Sequence, residues 1–103
     1  MKKSNKIVII GGDKELPIIS QFYGILIYLY KEIGGHHNRP HIHAKYNEYE
    51  VSVDFNGNIL GGTIPNKQKK ILDAWIEIHK DELNAAWYSY NNDGEIIKIK
   101  GLE

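Results

Sequence analysis

The sequence contains no cysteine, which excludes a disulfide scaffold, a cysteine-ligated zinc knuckle and a thiol nucleophile together. That absence suits a reducing compartment. Charge of one sign is also missing. Thirteen lysines and arginines balance thirteen aspartates and glutamates, so there is no global field to draw the chain onto nucleic acid or anionic lipid. Any nucleic-acid contact would have to be local. Long apolar runs are absent too: behind the charged start Met1-Lys2-Lys3, the stretch Ile7 to Ile10 is too short for a signal peptide or a membrane span. No membrane association is expected, and the cytoplasm is the expected location. Lys80-Asp81-Glu82-Leu83 has the letters of an endoplasmic-reticulum retention signal, but that signal acts only at an extreme C-terminus. Gly11-Gly12 follows an apolar run without the G-x-G-x-x-G spacing of a dinucleotide site. There is no internal repeat and no low-complexity tract.

What remains is the composition of one globular domain. The 103 residues are 42% hydrophobic and 25% charged, with Trp75 and Trp87 as large core formers, enough to fold without metal or disulfides. Residues 1–15 read as an N-terminal extension able to supply an edge strand, and residues 16–103 as a single α+β domain. Ile7 to Ile10 predicts a short strand, and Gly11-Gly12-Asp13 a turn. Phe22 to Tyr30, β-branched and aromatic on both alternating faces, predicts one central strand covered on both sides.

Gly34-Gly35 ends that pattern, and a loop rich in histidine leads through Pro40 into the next strand. A two-residue turn at Asn47-Glu48 would pair Tyr46 with Tyr49, Lys45 with Glu50, Ala44 with Val51, His43 with Ser52, Ile42 with Val53 and His41 with Asp54. The register sorts the hairpin cleanly: Ile42, Ala44, Tyr46, Tyr49, Val51 and Val53 on an apolar side, and His41, His43, Lys45, Glu50, Ser52 and Asp54 on a polar one. Asn56-Gly57 predicts a type I′ turn and a further strand from Asn58 to Thr63. Pro65 suits a first helical turn. From Leu72 through Trp75, Ile76, His79, Leu83, Ala86, Trp87 and Tyr90 the spacing predicts one long amphipathic helix, Asn66 to Tyr90, stopped by Asn91-Asn92-Asp93-Gly94. Glu95 to Lys100 reads as an edge strand or an ordered tail. The expected architecture is a small antiparallel sheet of three to five strands packed against that one C-terminal helix.

Four of the five histidines fall in His36-His37-Asn38-Arg39-Pro40-His41-Ile42-His43. Three readings stay open for them. In the first, His41 and His43 do acid–base chemistry with Asp54 orienting one ring, and Arg39 grips a phosphate or carboxylate, as a metal-independent phosphodiester-cleaving site would require. In the second, His41 and His43 share a transition metal, with Asp54, His36 or His37 as a third ligand; otherwise no cofactor is expected. In the third, the cluster is a solvated polar face that at most binds a partner. Candidate catalytic residues are therefore His41, His43 and Asp54, and candidate binding residues are Arg39, His37 and Lys45. His79, on the apolar stripe, reads as a core histidine, the row Trp75, Trp87 and Tyr90 as core, and Lys67, Lys69 and Lys70 as a solvated basic turn.

Ile19-Ser20 with Phe22-Tyr23-Gly24-Ile25, Pro40-His41-Ile42-His43-Ala44 with Tyr46, Leu60 to Pro65, and Trp75, His79, Glu82-Leu83 and Trp87 together resemble the bacterial family called domain of unknown function 4160 (DUF4160). Where its members commonly carry a second proline and a phenylalanine, this chain has Arg39 and Ile42. The resemblance implies importance for Pro40, His41 and His43, and a small protein partner in an arrangement similar to a toxin–antitoxin pair. It implies no particular reaction.

Overall fold

The computed structural model of the chain describes residues 7–10, 14–30 and 39–103. Among them an antiparallel meander of six strands runs in chain order: β1 (Ile7–Ile10), β2 (Lys14–Phe22), β3 (Ile25–Tyr28), β4 (His41–Tyr46), β5 (Tyr49–Asp54) and β6 (Ile59–Thr63). The chain closes with α1 (Asn66–Ile78) and α2 (Lys80–Asp93). The turn expected at Gly11-Gly12-Asp13 and the loop residues His36 and His37 lie outside the described residues.

The β4–β5 hairpin adopts the pairing that alternation predicts, from Tyr46 with Tyr49 to His41 with Asp54. Asn47 takes a positive φ of 53° and Glu48 does not. That is the φ pattern of a type II′ turn, which asks left-handed geometry only of its first central residue and so tolerates glutamate at the second.

Three expectations need correction. Phe22 to Tyr30 is not one strand. Tyr23 (φ 48°) and Gly24 (φ 75°) form a two-residue turn between Phe22 and Ile25, with the φ pattern of type I′, so the apolar run folds back on itself as β2 and β3. Second, the Asn56-Gly57 turn is not type I′, because only Gly57 has positive φ. Gly57 N–H bonds the Asp54 carbonyl and Asp54 N–H bonds the Asn58 carbonyl, giving a three-residue loop with a left-handed glycine at its end.

Third, the C-terminal helix is two helices. His79 leaves helical geometry (φ −109°, ψ 24°) between α1 and α2, although the backbone bonds His79 to Trp75 and Leu83 to His79 continue on either side. Its ring packs on Trp75 at 5.6 Å and its Nδ1 meets the Glu82 carboxylate, so it is a half-buried junction residue. No glycine or proline marks the bend, and the apolar spacing runs straight through it, which hides it in the sequence. Pro65 stands one place before α1, and Gly94 (φ 73°) ends α2 as expected.

Ile19, Phe22, Ile25, Ile27, Ile42, Ala44, Val51 and Val53 from the sheet meet Leu72, Trp75, Ile76, Leu83 and Ala86 from the helices in one core. Trp75 lies 5.2 Å from Phe22 and donates its indole N–H to the Lys100 carbonyl. Each fully buried branched or aromatic side chain contributes about 1.5–3 kcal/mol, so this layer dominates stability. Residues after Gly94 form an ordered tail without regular strand structure. Ile99 is buried, and its N–H bonds the Ile19 carbonyl at the bulge of β2.

Candidate functional site

Pro40 biases Arg39 toward extended backbone, and the chain enters β4 with His41 first. His41 Nδ1 lies 2.8 Å from the Arg39 carbonyl oxygen. A carbonyl can only accept, so Nδ1 donates and the neutral ring keeps its lone pair on Nε2. Residues two apart on a strand share a face, and the rings of His41 and His43 stand 5.1 Å apart, edge to face. His43 stacks on Tyr28 at 5.3 Å and meets Tyr30 edge-on at 5.0 Å, while His41 contacts Trp87 of α2 at 5.1 Å. Tyr28 is fully buried and donates its hydroxyl to the Glu50 carboxylate. Burial, then the hydrogen bond and negative charge of Glu50, push the Tyr28 phenol above its ordinary range.

Asp54 is buried at the end of β5. Register sets it across from His41, but its carboxylate turns to the loop that follows. One oxygen accepts the N–H groups of Asn56 and Asn58, each at 2.9 Å, and the other accepts the Asn58 amide and Arg39 Nη1, each at 3.1 Å. This is the side-chain-to-backbone chemistry by which aspartate builds turns, and it explains why the Asn56-Gly57 loop departs from type I′. Burial works to raise the Asp54 carboxyl, but the bonds from Asn58 and Asn56 and the Arg39 charge outweigh it and hold the group below its usual range.

Arg39 joins these parts. Its carbonyl holds the His41 ring, its guanidinium holds Asp54, and 60% of its side chain remains exposed. The exposed part lines a cleft of about 410 Å³ that opens between the start of β4, the 54–58 loop and the beginning of α2. Asp54, Asn56, Asn58, Lys80 and Asn84 supply its other polar walls, and Pro40 and Phe55 its apolar ones.

Of the residues singled out from sequence, His41 and His43 come together, and Arg39 and Asp54 come together beside them. Lys45 lies near the other end of β4, opposite Glu50, away from the cleft. His37 is outside the described residues. Among the described residues no group of three histidine, cysteine, aspartate or glutamate side chains is arranged to hold a metal ion. Lys69 is tied to Asp73 and the Gly57 carbonyl, not spread over a free basic turn. The cleft residues that sequence reasoning missed are Lys80, Asn84, Asn56 and Asn58. The two on α2 carry an i, i+4 signal, but nothing in sequence brings that helix face to the 54–58 loop.

The family model for Domain of unknown function (DUF4160) matches residues 24–88, a span that holds Arg39, His41, His43, Asp54, Lys80 and Asn84. No curated protein and no solved structure matches the chain. No helix among the described residues is long and apolar enough to cross a membrane.

Proposed function

Because the chain belongs to the family of Domain of unknown function DUF4160, whose description carries no activity, we propose from the geometry that it is a binding module and that the Arg39 cleft is its recognition site. The observation that carries this reading is the fate of Asp54. The carboxylate that an imidazole would need as its orienting partner is occupied by Asn56, Asn58 and Arg39. The accessible cleft, meanwhile, is lined by the exposed Arg39 guanidinium and by Lys80. A small protein partner, as in a toxin–antitoxin-like pair, is the form of binding that the resemblance favours. The cytoplasm, where a cysteine-free chain of this composition is at home, belongs to the same proposal.

A second reading has its own observation. His41 and His43 stand ring to ring at 5.1 Å, with the His41 tautomer set by a carbonyl. That arrangement favours a toxin-like component that uses one imidazole as base and the other as acid on RNA or another phosphodiester. A variant of it places a transition metal on the same two rings, which elemental analysis of the purified chain would detect. One experiment separates binding from cleavage. Purified chain is incubated with total RNA beside H41A and H43A. The binding module leaves RNA intact in all three samples, whereas cleavage by the wild type that both substitutions abolish would replace it with the phosphodiesterase.

A further inference from the structure

Arg39 uses only part of its donor capacity on the protein. Its Nη1 donates to Asp54, and the other N–H groups of the planar guanidinium belong to a side chain more exposed than buried. Lys80, which lines the same cleft, opens α2. Its Nζ lies 3.3 Å from the Asn56 amide oxygen and 3.7 Å from the Glu77 carboxylate, both long contacts that leave an ammonium able to take a better acceptor. Two amides that line the same cleft each spend one N–H on the protein. Asn84 gives its N–H to the Lys80 carbonyl at 3.0 Å, and Asn58 gives its own to Asp54. Each amide keeps its oxygen and a second N–H to offer. Two carboxylates oppose an anion: Asp54, whose charge is already met by Arg39, the Asn58 amide and two backbone N–H groups, and Glu77, which lies 3.7 Å from Lys80 and is exposed to solvent.

Resting on the binding-module reading, we propose that the cleft is an anion site that takes a phosphate or carboxylate group between Arg39 and Lys80. The amides of Asn58 and Asn84, each with an oxygen and one N–H still to offer, give the rest of the ligand polar partners. A guanidinium recognises both anions by paired, charge-assisted hydrogen bonds. The volume of about 410 Å³ suits a ligand of nucleotide or amino-acid size. Phosphate esters and carboxylates share the recognition chemistry, and the experiment tells them apart.

The full chain is titrated by NMR, following the Arg39 Nε–H and the backbone amides of residues 54–58 and 80–84. Sodium phosphate, sodium acetate and sodium chloride form three arms at matched ionic strength and pH. The proposal expects saturable shifts at Arg39, Asn56, Asn58, Lys80 and Asn84 with phosphate or acetate and not with chloride. Affinity should weaken roughly tenfold or more in R39Q and in K80Q, and the tighter arm names the ligand class. Shifts no larger than those in chloride, or saturable shifts that survive both substitutions, overturn the anion site. The RNA experiment bears on the binding-module reading alone, so the failure of one idea is distinguishable from the failure of the other.

Discussion

The two faces of the β4–β5 hairpin are built from the same strands and solve burial in opposite ways. On the helix side, Ile42, Ala44, Val51 and Val53 exclude water by filling volume against Trp75 and its neighbours. On the other side, His41, Tyr28 and Asp54 are equally hidden, but each polar group is answered individually: Tyr28 by Glu50, His41 by the Arg39 carbonyl, and Asp54 by its loop and Arg39. The apolar face tolerates changes that conserve volume and is damaged by cavities. The polar face tolerates little change of chemistry, because an unanswered buried group costs its full desolvation.

Substitutions can break that contrast, beginning with the largest effect. Trp75→Ala empties the centre of the apolar face and strands the Lys100 carbonyl, so urea denaturation should show a loss of about 3–5 kcal/mol. A loss under about 1 kcal/mol would mean that the helices are not seated on the sheet as described. Asp54→Ala leaves the Asn56 and Asn58 N–H groups unanswered and should cost about 2–4 kcal/mol. The pH dependence sharpens this. The Asp54 carboxyl is held low in the folded chain, so its contribution is complete above the unfolded value of about 3.9. It is lost as pH falls from there through the folded value, because only the unfolded chain takes up the proton at first. Acid titration of stability should therefore be flatter in Asp54→Asn than in the wild type.

Tyr28→Phe removes a hydroxyl whose carboxylate partner can return to water, and about 1 kcal/mol should be lost, with little further loss when Glu50→Gln is added. Here the sign reverses. The Tyr28 phenol is raised on folding, so its contribution is complete below about pH 10 and is lost as pH climbs above that. Equal alkaline curves for wild type and Tyr28→Phe would contradict it. Arg39→Gln should change stability least, by under about 1 kcal/mol, since one partner of its ion pair is mostly exposed.

The same contrast governs what could be read from sequence. The apolar face was legible residue by residue, because strand alternation and a turn of fixed length leave one register for β4 and β5. The polar face was legible only as a set of neighbours. Alternation put His41, His43 and Asp54 on one surface, but which atom bonds which is decided by short loops. Asp54 was free on paper to reach His41 and in the fold reaches forward to Asn56 and Asn58 instead. The Tyr23-Gly24 turn was hidden because Phe22 and Tyr23 before the glycine and Ile25 to Tyr30 after it form one apolar, β-prone run, and the bend at His79 because the helical spacing never falters there. Lys80 and Asn84 joined the site only through the packing of α2, which no local pattern encodes.

The bond from Ile99 to Ile19 and the indole of Trp75 on Lys100 also bear on the order in which the molecule can be completed. These contacts join positions far apart in the chain, and loop closure over such distances is entropically the last to be favoured. During synthesis, the stretch of β2 around Ile19 therefore waits as an unpaired strand edge while the hairpins beyond it can already form. Such an edge is the kind of surface on which strands of other chains add. In the finished fold the tail after Gly94 covers that stretch, with Ile99 buried and its N–H on the Ile19 carbonyl.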